Sequence, residues 1–179
     1  MTRILLYEDN DTYRESLAVL LNSDKELRVV GQYPDCRYLC EQAEQHRPDL
    51  VLFDIDMPHV DGLRGLYLLK QHFPVVRALM LTIFDDNDKV FNAICLGADG
   101  YLLKHTPPNK ILSAIKELFD GGAPMSPFIA RKVLQLFPKT AFRRHEGYEL
   151  TEKEREALTH LDGKWRWILG QHTHIPAGK

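Results

Sequence analysis

The sequence predicts an α/β fold, a doubly wound five-stranded parallel sheet with helices on both faces and a short helical C-terminal extension. Two observations carry this reading. Over the first 120 residues, short and nearly all-apolar runs alternate with longer segments of helical periodicity, the pattern of repeated strand and helix units. The runs are also unbroken where a half-exposed sheet would alternate apolar and polar positions, so most strands must be buried on both faces.

The elements follow in order. The first run, residues 4–7, meets the polar junction Glu8-Asp9-Asn10 and then a helix over 12–22, where Leu17, Leu20 and Leu21 form an inward stripe. A second strand lies within 27–33, and Asp35 is placed to cap a helix over 36–46. Pro48 separates that helix from the third run, 50–53, which precedes a helix over 60–72. The fourth run, 78–82, sits in the greasiest stretch of the chain, 75–84, which Arg77 interrupts and which is too short to cross a bilayer. A helix over 86–96 should stop at Gly97, and a fifth run covers 101–103. Pro107 and Pro108 suit the entry to a helix over 108–119, because proline in a first turn sacrifices no helical hydrogen bond. Gly121-Gly122 closes this unit. Beyond it, 123–126 reads as a link and 127–137 as a helix with Ile129, Val133, Leu136 and Phe137 on one side. Residues 138–148 form a polar stretch, and Thr151-Glu152-Lys153-Glu154 has capping-box spacing before a helix over 152–162.

A chain of 179 residues can supply one good core and a small appendage, which excludes a large multidomain machine. Residues 1–122 contain 13 Lys and Arg against 19 Asp and Glu, whereas 123–179 contain 10 against 6. An acidic body therefore carries a mildly basic tail, and the whole chain, at net −2, is no polycation built for DNA. Cys36, Cys40 and Cys95 match neither a disulfide framework nor a paired-thiol zinc module, which fits a reducing, cytoplasmic setting. Neither a signal peptide nor an apolar membrane span is legible, so no membrane partner is expected. No glycine-rich fingerprint or Walker A loop argues for nucleotide binding.

Parallel α/β sheets carry functional loops at the carboxyl ends of their strands. There the sequence places Glu8 and Asp9, then Asp54 and Asp56, then Thr82, and finally Lys104. Two unit negative charges about 4 Å apart repel by roughly 4 kcal/mol at an effective dielectric near 20, so gathered carboxylates need a counter-ion. Mg²⁺ suits them, since it favours oxygen ligands and retains waters while meeting phosphate. A nearby lysine would neutralise incoming phosphoryl oxygens, and a threonine hydroxyl could donate to one.

Several stretches resemble the signature of two-component response-regulator receiver domains. They are Glu8-Asp9, Leu52-Phe53-Asp54-Ile55-Asp56-Met57-Pro58, Asp61-Gly62, Leu81-Thr82 and Gly97-Ala98-Asp99-Gly100-Tyr101-Leu102-Leu103-Lys104, in the expected order and separations over residues 1–122. The resemblance implies a flavodoxin-like sheet of order 2-1-3-4-5. It implies Asp54 as phosphoacceptor from a sensor histidine kinase, with Asp9, Asp54 and the backbone carbonyl of Asp56 binding Mg²⁺ and Glu8 supporting the ion. Lys104 would contact the transferred phosphoryl group, Thr82 would move toward it, and Tyr101 would switch between exposed and inward positions. Phe84, two residues past Thr82, would shape access to the acyl phosphate. Such a protein is a signalling phosphoacceptor capable of self-dephosphorylation rather than a dedicated enzyme, and a homodimer is among its expected states.

The tail resembles the NarL/LuxR type of regulator in Gly121-Gly122, Ser126-Pro127, Ile129-Ala130 and Leu150-Thr151-Glu152-Lys153-Glu154-Arg155-Glu156. This implies a receiver domain over 1–122, a helical linker over 123–150 and the remnant of a helix-turn-helix output domain over 151–179. After Gly163 the match ends, and the recognition-helix motif is missing, which argues against base-specific DNA reading. Trp165 and Trp167 beside Ile168 read as cover for an apolar surface or as a sticky unfolded end rather than as a base-stacking pair, and His172 and His174 as terminal histidines rather than a metal pair. Two other functions compete with the phosphorelay: a DNA-binding transcription regulator that retains its output, and a Mg²⁺-dependent phosphohydrolase built on the same acidic rim.

Overall fold

A computed structural model describes residues 1–136, within a compact unit spanning Met1–Pro138. The helix expected over 152–162, the polar stretch from 138, the tryptophan pair and the terminal histidines lie outside the described residues. The elements are β1 (Thr2–Tyr7), α1 (Asp11–Ser23), β2 (Leu27–Tyr33), α2 (Leu39–His46), β3 (Leu50–Phe53), α3 (Gly62–His72), β4 (Arg77–Thr82), α4 (Asn87–Cys95), β5 (Gly100–Leu103), α5 (Pro108–Phe119) and α6 (Pro127–Leu136). All sheet pairings are parallel and the strand order is β2-β1-β3-β4-β5, the order the resemblance implies.

The unbroken apolar runs are explained by two cores, one on each face of the sheet. Successive residues of a strand point to opposite faces. Leu5, Tyr7, Val51, Phe53, Ala78, Met80 and Tyr101 therefore meet Leu39, Leu66, Leu69, Val90 and Ala93 on one face. Ile4, Leu6, Leu50, Leu52, Leu79, Leu81 and Leu102 meet Leu17, Leu21, Ile111, Ile115 and Leu118 on the other. Each strand of the sheet's centre thus supplies both layers. The edge strand β2 is less buried and carries Arg28 and Gln32 outward, which is why its sequence signal is mixed.

Caps set the loops at the functional end. Asn10, Asp61 and Asp86 each accept from the third backbone N–H beyond them at the starts of α1, α3 and α4. Asp35 departs from the expectation that it caps the second helix. Its carboxylate accepts from the Arg37 N–H at 2.9 Å and from the Arg37 guanidinium, and the chain turns once more before α2 begins at Leu39. A charged partner two residues on outcompetes the helix amides. Gly97, at φ +90°, ends α4 in the left-handed conformation expected of a helix stop.

The link after Gly122 is part of the fold. Tyr101 donates its backbone N–H to Pro124 at 2.9 Å, Ser126 donates its own to Tyr101 at 3.2 Å, and the Leu103 N–H donates to Ser126 Oγ at 3.1 Å. Residues 124–126 thereby extend the sheet past β5, with Met125 bridged in parallel to Tyr101. α6 then packs on α4 and buries Ile129 completely against the core. The compact unit, Met1–Pro138, includes this segment. Cys36, Cys40 and Cys95 are free thiols, and burial pushes the Cys36 thiol up from its ordinary pKa. No helix among the described residues is long and apolar enough to cross a membrane.

Candidate functional site

The carboxyl ends of β1, β3 and β5 converge on a cavity of about 360 Å³ whose walls include Asp9, Asp54, Asp56, Tyr13 and Lys104. Backbone pairing fixes the strand ends. The Asp54 N–H donates to the Tyr7 carbonyl at 2.9 Å, and the Lys104 N–H donates to the Thr82 carbonyl at 2.9 Å. Gly62 packs against the Asp54 peptide, where a β-carbon would fall within the Asp54 carbonyl, and its N–H donates to the Ile55 carbonyl at 2.9 Å.

Lys104 joins the acidic residues. Its ammonium lies 2.7 Å from Asp54 Oδ2 and 2.7 Å from Glu8 Oε2, while the ring centroid of Tyr13 is 4.9 Å away. The other oxygen of Asp54 accepts from the Ile55 N–H at 2.6 Å, and Glu8 Oε1 accepts from the Asn10 N–H at 3.1 Å. Glu8 and Asp54 are buried, whereas Asp9 and Asp56 are exposed at the mouth. Burial pushes the Glu8 carboxyl above its ordinary pKa, a rise that Lys104 opposes. Burial works the other way on Lys104, but its hydrogen bonds to Asp54 and Glu8 outweigh it and leave the ammonium more basic than usual.

Oxygens of Glu8, Asp9 and Asp54 all lie within 4.8 Å of one another. Three hard oxygen donors at this separation, one of them open to water, fit a divalent cation of the Mg²⁺ kind. Asp56 contributes a wall of the cavity.

Thr82 and Tyr101 are fully buried beneath this rim and are not among the cavity walls. They meet at the backbone of Phe84, whose N–H donates to Thr82 Oγ1 at 3.3 Å and whose carbonyl accepts from the Tyr101 hydroxyl at 2.8 Å. The Tyr101 side chain therefore points inward, and burial pushes its phenol up. Sequence alone does not reveal this shared peptide, since the residue is fixed by geometry and not by its side chain. Nor does the sequence mark Tyr13. Its position on α1 carries no motif, and only the approach of β5 brings a cation to its ring.

The family model of the response regulator receiver domain matches residues 4–116. Among curated proteins, the chain is 33% identical over 169 residues to the transcriptional regulatory protein LnrK of Bacillus subtilis, covering 90% of this chain and 77% of that protein. It is 31% identical to the transcriptional regulatory protein DegU of Brevibacillus brevis, covering 86% of this chain and 66% of that one. Among solved structures, a LuxR-family two-component response regulator from Aurantimonas superposes with a TM-score of 0.71 at 26% identity, over 76% of this chain and 97% of that one. The response regulator ChrA of a heme-sensing two-component system superposes with a TM-score of 0.63 at 28% identity, over 89% of this chain and 74% of that one.

Proposed function

The chain belongs to the response-regulator receiver family of two-component systems, and we propose that Asp54 is its phosphoacceptor and that a sensor histidine kinase is the donor. The observation that carries this reading is the meeting of Lys104 with both Asp54 and Glu8 beside the exposed Asp9. An Asp54 oxygen attacks the phosphorus of the partner's phosphohistidine. The new O–P bond forms as the P–N bond breaks, and the electron pair leaves with the imidazole.

Asp9, Asp54 and the Asp56 backbone carbonyl are the groups that would hold Mg²⁺, with Glu8 in support. When bound, the ion supplies positive charge against the phosphoryl oxygens. The protein's own part is positional. The Ile55 N–H and Lys104 fix the two oxygens of Asp54, and the Lys104 ammonium then transfers its hydrogen bond to the phosphoryl group.

The switch follows from the pair beneath the rim. Thr82 Oγ1 accepts from Phe84 and can offer its own proton to a phosphoryl oxygen. Drawing Thr82 toward the rim would disturb the Phe84 peptide that anchors the Tyr101 hydroxyl. A phosphoryl group can shift such an equilibrium only through contacts that differ between its two states.

The names of LnrK and DegU favour a transcriptional output as a second reading. A linker to about residue 150 and a divergent output remnant beyond it belong to that proposal, as does homodimerisation. Salt-dependent and sequence-selective binding to duplex DNA would support retained output, and equal weak binding to scrambled duplex would remove it.

The primary test is intact-mass analysis with Mg²⁺ and a small acyl-phosphate donor. Wild type is expected to gain one phosphoryl adduct that Mg²⁺ chelation prevents and that Asp54→Asn abolishes. Equal incorporation by the Asn variant would refute the assignment.

A further inference from the structure

Lys104 has to satisfy two demands that conflict. Its ammonium must be held at the cavity before any phosphoryl group arrives, yet it must be free to leave the Asp54 carboxylate once one does. Glu8 answers the first demand from one side, at 2.7 Å. A further carboxylate would hold the ammonium more firmly but would repel an incoming phosphoryl group.

Tyr13 provides a hold without charge. It enters α1 on the first turn, where its N–H donates to Asn10 Oδ1 at 3.0 Å, so the helix cap sets its position. The ring is half-buried, shares the cavity wall with Asp54 and Lys104, and presents its centroid 4.9 Å from Lys104 Nζ. The negative face of an aromatic ring attracts an ammonium at this range, the more so when water is partly excluded.

We propose that Tyr13 is a positioning residue for Lys104: its ring face keeps the ammonium at the cavity while the ammonium exchanges the Asp54 carboxylate for the oxygens of the transferred phosphoryl group. The ring adds neither a formal charge nor a strong acceptor that a phosphoryl oxygen would have to displace. The phosphoryl step rests on the function proposed above, whereas the hold on Lys104 does not.

Two measurements on the full chain separate these layers, using Tyr13→Leu and Tyr13→Phe. Ring currents should displace the Lys104 ε-methylene protons upfield in the NMR spectrum of wild type and Tyr13→Phe but not of Tyr13→Leu. With Mg²⁺ and a small acyl-phosphate donor, Tyr13→Leu should form the adduct about fivefold more slowly, within the range of one cation–π contact, and Tyr13→Phe should recover the rate. A Leu variant at the wild-type rate, or a Phe variant as slow as Leu, overturns the proposal. So does a wild-type spectrum without the upfield displacement. Should wild type accept no phosphoryl group at all, the Asp54 assignment falls, and the spectral comparison alone decides whether the ring holds Lys104.

Discussion

Gly62 lies against the peptide that carries Asp54, and nothing larger than hydrogen fits between them. The obstacle is backbone, which cannot rotate aside as a side chain can. Gly62→Ala is therefore expected to destabilise the fold by about 3 kcal/mol through overpacking and to displace the Asp54 carbonyl. A lowered urea midpoint together with slower adduct formation checks this; a midpoint equal to wild type would show that the loop yields. Lys104 sets a second expectation. Without its ammonium, Glu8 and Asp54 lose the cation they share in a buried site, so Lys104→Met should lose about 3 kcal/mol. Thermal melts at neutral pH should show the loss, and added Mg²⁺ should return part of it. Glu8, Asp9, Asp54 and Lys104 are legible in the sequence because each lies within two residues of the end of a buried strand, where chain direction and sheet topology bring them to one rim. Tyr13 and the Phe84 peptide are not legible, since one is an ordinary helix-surface aromatic until β5 arrives and the other acts through backbone atoms.

Strand β5 is anchored at its start, away from the site, by Asp99. The carboxylate accepts from Lys70 Nζ at 2.7 Å, from the Ala78 N–H at 2.8 Å and from Arg77 at 3.2 Å, tying β5 to β4 and α3. Burial alone would raise its pKa, but these donors outweigh burial and hold the carboxyl below the ordinary Asp value of 3.8. A depressed folded pKa means that the ionised form stabilises the native state. The contribution is complete above the unfolded value and disappears as pH falls through the lower folded one. Asp99→Asn should accordingly cost about 2 kcal/mol at neutral pH. The gap between variant and wild type should close as titration proceeds below pH 3.8, as followed by denaturant midpoints across the acid range. A gap independent of pH would mean that packing, not charge, gives Asp99 its effect. At this scale the sequence displays most elements clearly, because a run buried on both faces has no polar interruptions. It misplaces the start of α2, where a local ion pair between Asp35 and Arg37 defeats the capping rule.

The compact unit includes the segment that follows α5. A glycine pair after α5 reads as a boundary, and a segment beginning Pro124-Met125 has little strand character of its own. Its pairing is legible only once the β5 edge exists, because Pro124 contributes a carbonyl and Ser126 both its N–H and its hydroxyl. Removing residues after 122 would strip partners from the Tyr101 and Leu103 amides and take away Ile129, which is fully buried against the core. Burying one such side chain is worth about 1.5–3 kcal/mol before any hydrogen bond is counted. A chain ending at 122 is thus expected to melt roughly 5–10 °C below one ending at 138. Differential scanning calorimetry of the two checks this. Equal melting temperatures would show that 123–136 rests on the sheet without stabilising it. A lower value for the shorter chain would make the segment a structural part of the receiver. Any partner seeking the surface of β5 and α4 would then have to compete with residues the protein has already placed there.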